Sequence, residues 1–155
     1  MENLIQLECN IDDTTPEVLS YAAERVLKAG ALDVWMTPII MKKGRPAVIL
    51  SVLSRPEFVD ALTNILFKET TTIGIRQMNY LRRSLPWKIF SVSTLYGELK
   101  VKVICMDGEI VTISPEFESC RQVAGEYGLP LQKIYDAAME AGRELIIECP
   151  EDIND

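Results

Sequence analysis

The chain has 155 residues, 48% of them hydrophobic, which suits one domain or two small intimate ones burying roughly two-thirds of the unfolded surface. A net charge of −7 excludes a broad duplex nucleic-acid face, because phosphate neutralisation needs a basic surface. The lack of any histidine excludes imidazole-based triads and metal sites, and no apolar run approaches the ~18 residues of a membrane span.

The four cysteines, Cys9, Cys105, Cys120 and Cys149, form no C-x-x-C pair. Their scatter gives no zinc-ribbon spacing and suits a reducing cytosol, and a chain of this size is expected to bury enough surface to need no disulfide. With no basic n-region and apolar h-region at the start, a cytoplasmic location is expected.

Ile5, Leu7, Cys9 and Ile11 alternate with Gln6, Glu8, Asn10 and Asp12. Period two predicts a strand with one face on the core, and it puts Asn10 and Asp12, but not Asp13, on the other. Thr14 and Glu17 have capping-box spacing, with Pro16 in the first turn of a helix. Leu19, Ala22, Ala23, Val26 and Leu27 supply its apolar stripe, and Gly30 ends it.

A second strand is expected from Leu32 to about Met41, then a Lys42-Lys43-Gly44-Arg45 turn, then a buried strand from Ala47 to Leu53. Ser54 and Glu57 repeat the capping-box spacing, and Phe58, Ala61, Leu62, Ile65 and Leu66 carry the second helical stripe. Thr72 to Arg82 returns to strand character. The order strand, helix, strand, strand, helix, strand predicts an α+β fold: a ferredoxin-like split βαβ half, an antiparallel sheet with two helices on one face.

Past Leu85-Pro86 the pattern changes to a β-hairpin or meander followed by two helices. Trp87 to Thr94 reads as a strand, Tyr96-Gly97 as a turn, and Leu99, Val101, Val103 and Cys105 as the core face of the next strand. Asp107-Gly108 is a strong hairpin dipeptide leading to Ile110–Ile113. One helix is expected from Ser114-Pro115-Glu116 to near Gly128. The last runs from about Leu131 to Gly142, with Leu131, Ile134, Tyr135 and Ala138 inward. These boundaries predict a ferredoxin-like subdomain at 1–84, a meander and helical subdomain at 85–146, and a frayed acidic tail at 147–155.

The chemistry-bearing residues gather at element ends. Asp12 and Asp13, with the amide oxygen of Asn10, are hard ligands of the kind that hold magnesium or manganese together with phosphate oxygens. The same acids equally serve as helix N-terminal charges that complement the dipole. Lys42, Lys43 and Arg45 crowd one turn and can clamp a triphosphate, or can simply be a solvated hairpin turn. Thr70, Thr71 and Thr72 offer hydroxyls where a helix passes into a strand, or satisfy that helix's last carbonyls. Gly74 and Arg76 follow, the glycine suggesting close approach of a ligand inside a strand. There is no G-x-x-x-x-G-K-[ST] loop and no G-x-G-x-x-G turn.

Taken together, Asn10-Ile-Asp-Asp-Thr-Thr-Pro-Glu, Gly30-Ala-Leu-Asp-Val-Trp, Met41-Lys-Lys-Gly-Arg-Pro, Glu69-Thr-Thr-Thr-Ile-Gly-Ile-Arg and Pro115-Glu-Phe-Glu-Ser-Cys resemble the C-terminal domain of the LarC family. These are the nickel insertion proteins of nickel-pincer nucleotide cofactor synthesis. The resemblance implies part of a CTP-dependent nickel insertase, a cyclometallase or nickel chelatase. It would load nickel, as substrate metal, into a pyridinium bis-thiocarboxylic acid mononucleotide for lactate racemase-type enzymes. It implies CTP with manganese or magnesium as cofactors, a homo-oligomer, and an N-terminal half of the same insertase on which activity depends. Asn10, Asp12 and Asp13 become the candidate metal contacts. Lys42, Lys43, Arg45, Thr70, Thr71 and Arg76 become the candidate nucleotide contacts. The competing expectation is a ferredoxin-like oligomer that senses a ligand or serves assembly without chemistry of its own.

Overall fold

A computed structural model describes residues 1–145 and Cys149. By contact density the chain separates into two compact units, Met1–Arg83 and Ser84–Asp155. The expected acidic tail at 147–155 lies outside the described residues apart from Cys149.

The first unit is built from β1 (Glu2–Ile11), α1 (Pro16–Lys28), β2 (Asp33–Met41), β3 (Arg45–Ser54), α2 (Val59–Glu69) and β4 (Arg76–Arg82). The sheet order is β2-β3-β1-β4, with every neighbouring pair antiparallel, which is the ferredoxin-like arrangement. Alternation in β1 sets the layers. Leu7 and Cys9 pair with Val52 and Leu50 and turn toward the helices. Leu19, Ala22 and Val26 of α1, with Leu62 and Leu66 of α2, close the core over them. Each fully buried Leu or Val contributes about 1.5–3 kcal/mol of transfer free energy. Glu8 and Asn10 turn to the opposite face, where Glu8 sits in register with Ser51 on one side and Arg76 on the other.

Several boundaries differ from expectation, each for a local reason. The cap of α1 is Thr15, whose Oγ1 accepts from the Val18 amide at 3.5 Å, so the capping spacing starts one residue later than Thr14. Leu27 points outward, because the stripe on Leu19, Ala22 and Val26 already fills the buried face. The second capping box does not form. Ser54 ends β3, its hydroxyl donates to the Arg55 carbonyl, and Pro56–Phe58 makes a 3-10 turn before α2. Residues 70–75 form a loop, so Gly74 lies outside any strand, and a Cβ placed on it would meet open space. At Gly30 the backbone does need glycine: φ is +103°, and the Phe58 ring lies 3.1 Å from where a Cβ would be.

The second unit contains β5 (Trp87–Thr94), β6 (Gly97–Met106), β7 (Glu109–Pro115), α3 (Phe117–Tyr127) and α4 (Leu131–Arg143). Its strands form an antiparallel meander, β5-β6-β7. Asp107 and Gly108 both adopt positive φ, as the tight hairpin requires. Ser114 and Pro115 belong to β7, and α3 begins only at Phe117. Leu99, Val101 and Val103 pack against Cys120, Ile134 and Ala138. Lys88 pairs with Val103 and so lies on the opposite face of the meander from Lys100 and Lys102.

The scattered cysteines conceal a pair. Cys105 of β6 is disulfide-bonded to Cys149, with Cα atoms 5.8 Å apart, whereas Cys9 and Cys120 are free and buried. The sequence pattern could not show this, because the link spans 44 residues and depends on two intervening helices. No described helix is long and apolar enough to cross a membrane.

Candidate functional site

β1 ends at Ile11, and the turn to α1 carries Asp12 and Asp13 beside the last polar residues of the face away from the helices. Three further segments converge on that turn. Arg45 opens β3 and donates through Nη1 to Oδ2 of Asp12 at 3.1 Å. Arg76 opens β4 and donates through Nη2 to Oδ1 of Asn10 at 2.7 Å and to Oε2 of Glu8 at 3.2 Å. Thr71, in the loop after α2, donates its hydroxyl to Oδ1 of Asp13. An open cavity of about 440 Å³ results. Its polar lining comes from Asn10, Asp12, Asp13, Thr71, Thr72 and Arg76, and its apolar lining from Met41 and Ile73.

Sheet topology explains the convergence. β3 and β4 flank β1 and run antiparallel to it, so both begin where β1 ends. Residues 33 and 66 positions apart are thereby brought within hydrogen-bond distance. Asp13, expected off this face by alternation, lines the cavity as well, because it lies past the strand where period two no longer applies. Lys42 and Lys43 form the adjoining 3-10 turn Lys42–Gly44 and make no ion pair among the described residues. Lys43 has φ 63°, a left-handed backbone that costs a non-glycine residue about 1 kcal/mol. Thr70 is different. Its hydroxyl donates to the Leu66 carbonyl at 2.7 Å, ending α2, and it does not line the cavity.

Glu8, Met41 and Ile73 belong to this neighbourhood and were not singled out as contacts from sequence, and Thr72, noted there for its hydroxyl, joins them. Glu8 was within reach, since it alternates in phase with Asn10 and Asp12.

The ion pairs are exchangeable. Arg45 is more than half exposed, and exposed pairs of this kind are worth about 0–1 kcal/mol. Asp12 can therefore leave Arg45 for a cation, while Arg45 turns to an anion, at little cost. Among the described residues no group of three or more acidic, cysteine or histidine side chains could hold a metal ion unaided. Two carboxylates and an amide oxygen do suit a hard divalent ion that brings phosphate oxygens with it. They do not suit a soft metal. Cys9 lies beneath this site on the core face, and burial pushes its thiol from 9.0 up to about 11, against smaller opposing effects from the Thr72 hydroxyl and Arg76. It stays a neutral thiol and offers no thiolate.

A larger open cavity, about 720 Å³, lies in the second unit beside Ser91, Lys100, Glu116 and Ser119. Its neighbouring charges largely satisfy one another. Arg121 donates two N–H groups to one oxygen of Glu118, and Lys102 contacts Glu116 at 3.5 Å while lying over the Trp87 ring. Burial, then the nearby Glu116, raises the Cys120 thiol too.

A family model described as nickel insertion protein matches residues 1–135. The chain belongs to the nickel insertion protein family. It is 45% identical over 136 residues to the pyridinium-3,5-bisthiocarboxylic acid mononucleotide nickel insertion protein of Thermotoga petrophila, covering 88% of this chain and 34% of that protein. The protein of the same name from Desulfitobacterium hafniense is 44% identical over 142 residues, covering 92% and 35%. The chain thus spans about a third of the length of the curated relatives it matches. Among solved structures it is similar to LarC2 in its apo form, the C-terminal domain of a cyclometallase involved in synthesis of the NPN cofactor of lactate racemase. That match has a TM-score of 0.84 and 38% identity, and covers 92% of this chain and 99% of LarC2. A protein from Methanopyrus kandleri matches with a TM-score of 0.64 and 26% identity, covering 89% of this chain and 85% of that one. The α+β fold with its ferredoxin-like half is therefore the fold of this family's C-terminal domain.

Proposed function

We propose that this chain is the CTP- and divalent-metal-binding domain of a cytoplasmic nickel insertase. The insertase loads nickel into the pyridinium bis-thiocarboxylic acid mononucleotide, acting with the N-terminal portion found in longer relatives. One observation carries the reading: acids and an amide from the end of β1 share an open cavity with Arg76 and lie beside Arg45, Lys42 and Lys43. Bound there, a magnesium or manganese ion supplies neutralisation of triphosphate charge. Asp12, Asp13 and Asn10 would hold that ion. Arg45 and Arg76 would orient phosphate oxygens through paired N–H groups, and Lys42 and Lys43 would add mobile positive charge. Thr71, released from Asp13, would donate its hydroxyl. Thr70 drops out of the nucleotide set, because it is committed to the end of α2.

The test is calorimetric titration of CTP into the chain with manganese, with ATP as control. CTP should bind more tightly than ATP and lose its affinity on chelation. Asp12→Asn and Lys43→Ala should each weaken CTP about tenfold, the effect of one charge-assisted contact, with melting retained. Unchanged affinity in both variants would remove this cavity from the site.

A second reading, an assembly module without chemistry, has its own support. Ile40 on edge strand β2 and Leu81 on edge strand β4 are 71% and 72% exposed. Light scattering that shows an oligomer, together with no CTP binding, would favour it.

A further inference from the structure

We infer that Met41 and Ile73 form the apolar contact surface for the nucleobase in the β1–β4 cavity. This inference rests on the nucleotide-binding reading above. Ile73 is 99% exposed, the most exposed large hydrophobic residue among the described residues. A side chain of that size forgoes about 1.5–3 kcal/mol of transfer free energy when left in water. It is not a loose residue on an unstructured loop. Thr72 bridges across it to Gly74, its hydroxyl donating to the Gly74 carbonyl at 2.9 Å and accepting from the Gly74 amide at 3.4 Å. The Asp13–Thr71 hydrogen bond fixes the same loop to the end of β1.

Ile73 and Met41 are the two apolar side chains in a lining otherwise made of carboxylates, amide, hydroxyls, guanidinium and Gly74. A ligand that fits such a lining has a charged end and a flat or rounded apolar end. Inorganic triphosphate alone leaves both apolar side chains wet, whereas a nucleoside triphosphate covers them. The grip is aliphatic rather than aromatic, so it holds the base by contact area rather than by stacking.

The experiment compares manganese-dependent binding of CTP and of inorganic tripolyphosphate to the wild-type chain, Ile73→Ser, Met41→Ala and the double variant. In the wild type, CTP should bind more tightly than tripolyphosphate. Each single substitution should weaken CTP several-fold and the double variant more than tenfold, with tripolyphosphate affinity unchanged. If CTP is unaffected by the substitutions, or both ligands weaken alike, the base does not rest on these side chains, and the nucleotide reading stands without them. If the wild type binds neither ligand, the nucleotide reading itself fails and takes this inference with it. A changed oligomeric state in Ile73→Ser with unaltered CTP affinity would overturn the inference and assign Ile73 to contact with a second copy of the chain.

Discussion

Cys9 shows how far one residue can tie stability to the site above it. Its thiol lies among the core side chains of β1 and β3, with Sγ 3.9 Å from the Leu50 carbonyl oxygen. Burial holds its pKa near 11. Between about pH 9 and 11 an unfolded chain has already lost this proton, while the folded chain keeps it. Rising pH therefore favours unfolding across that window, by up to about 2–3 kcal/mol once both pKa values are passed. Cys9→Ala should flatten this part of the stability–pH curve, as measured by urea titrations at successive pH values. An identical slope in the variant would mean that Cys9 is not the titrating group. Among the candidate residues, Asn10, Asp12 and Arg45 stand out in the sequence because they fall at element ends, and the structure brings them to the same end of the sheet. Thr70 is placed differently, its hydroxyl bonded to the Leu66 carbonyl, and a hydroxyl that ends a helix looks like one free for a ligand in a sequence.

At the scale of elements, two glycines in the second unit should respond oppositely to the same substitution. Gly142 in α4 lies so close to β7 that a Cβ would come 2.9 Å from Cγ2 of Ile113, a branched side chain with little room to turn. Gly142→Ala should destabilise by about 1–3 kcal/mol through overpacking, despite the better helix propensity of alanine. Gly125 in α3 faces open space, so Gly125→Ala should stabilise by up to about 1 kcal/mol. Chemical denaturation of both variants checks the pair, and a like-signed response would contradict the packing of α4 on the sheet. Elements with clean periodicity were legible: Trp87–Thr94 was bounded as found, and the stripe of α4 holds Ile134 and Ala138 inward. The start of β4 was not. Thr72, Ile73 and Gly74 share the composition of a strand, but their hydroxyl and amide bonds are made within the loop rather than across a ladder. The second capping box failed for a related reason, since Ser54 ends a buried strand and gives its hydroxyl to the Arg55 carbonyl rather than to the following helix.

Over the whole molecule, the Cys105–Cys149 link belongs to the second unit and closes a loop of 44 residues. A loop of that length corresponds to roughly 2–4 kcal/mol of stabilisation. Reduction should lower the melting of the second unit and leave the first unchanged, because no cysteine of the first unit is in a disulfide. Thiol titration of the unfolded, unreduced chain should count the two free cysteines, Cys9 and Cys120. Four thiols would show that the link is absent in solution. The placement of β1 has a separate consequence for how the protein comes into being. β1 precedes its sheet partners in the chain, yet it ends as an interior strand, and its last partner, β4, follows some 65 residues later. Until Arg76 leaves the ribosome and docks, Asn10 and Glu8 have no guanidinium beside them and the cavity has no wall from residues 71–76. The cavity is therefore complete only when the whole first unit has been made and folded.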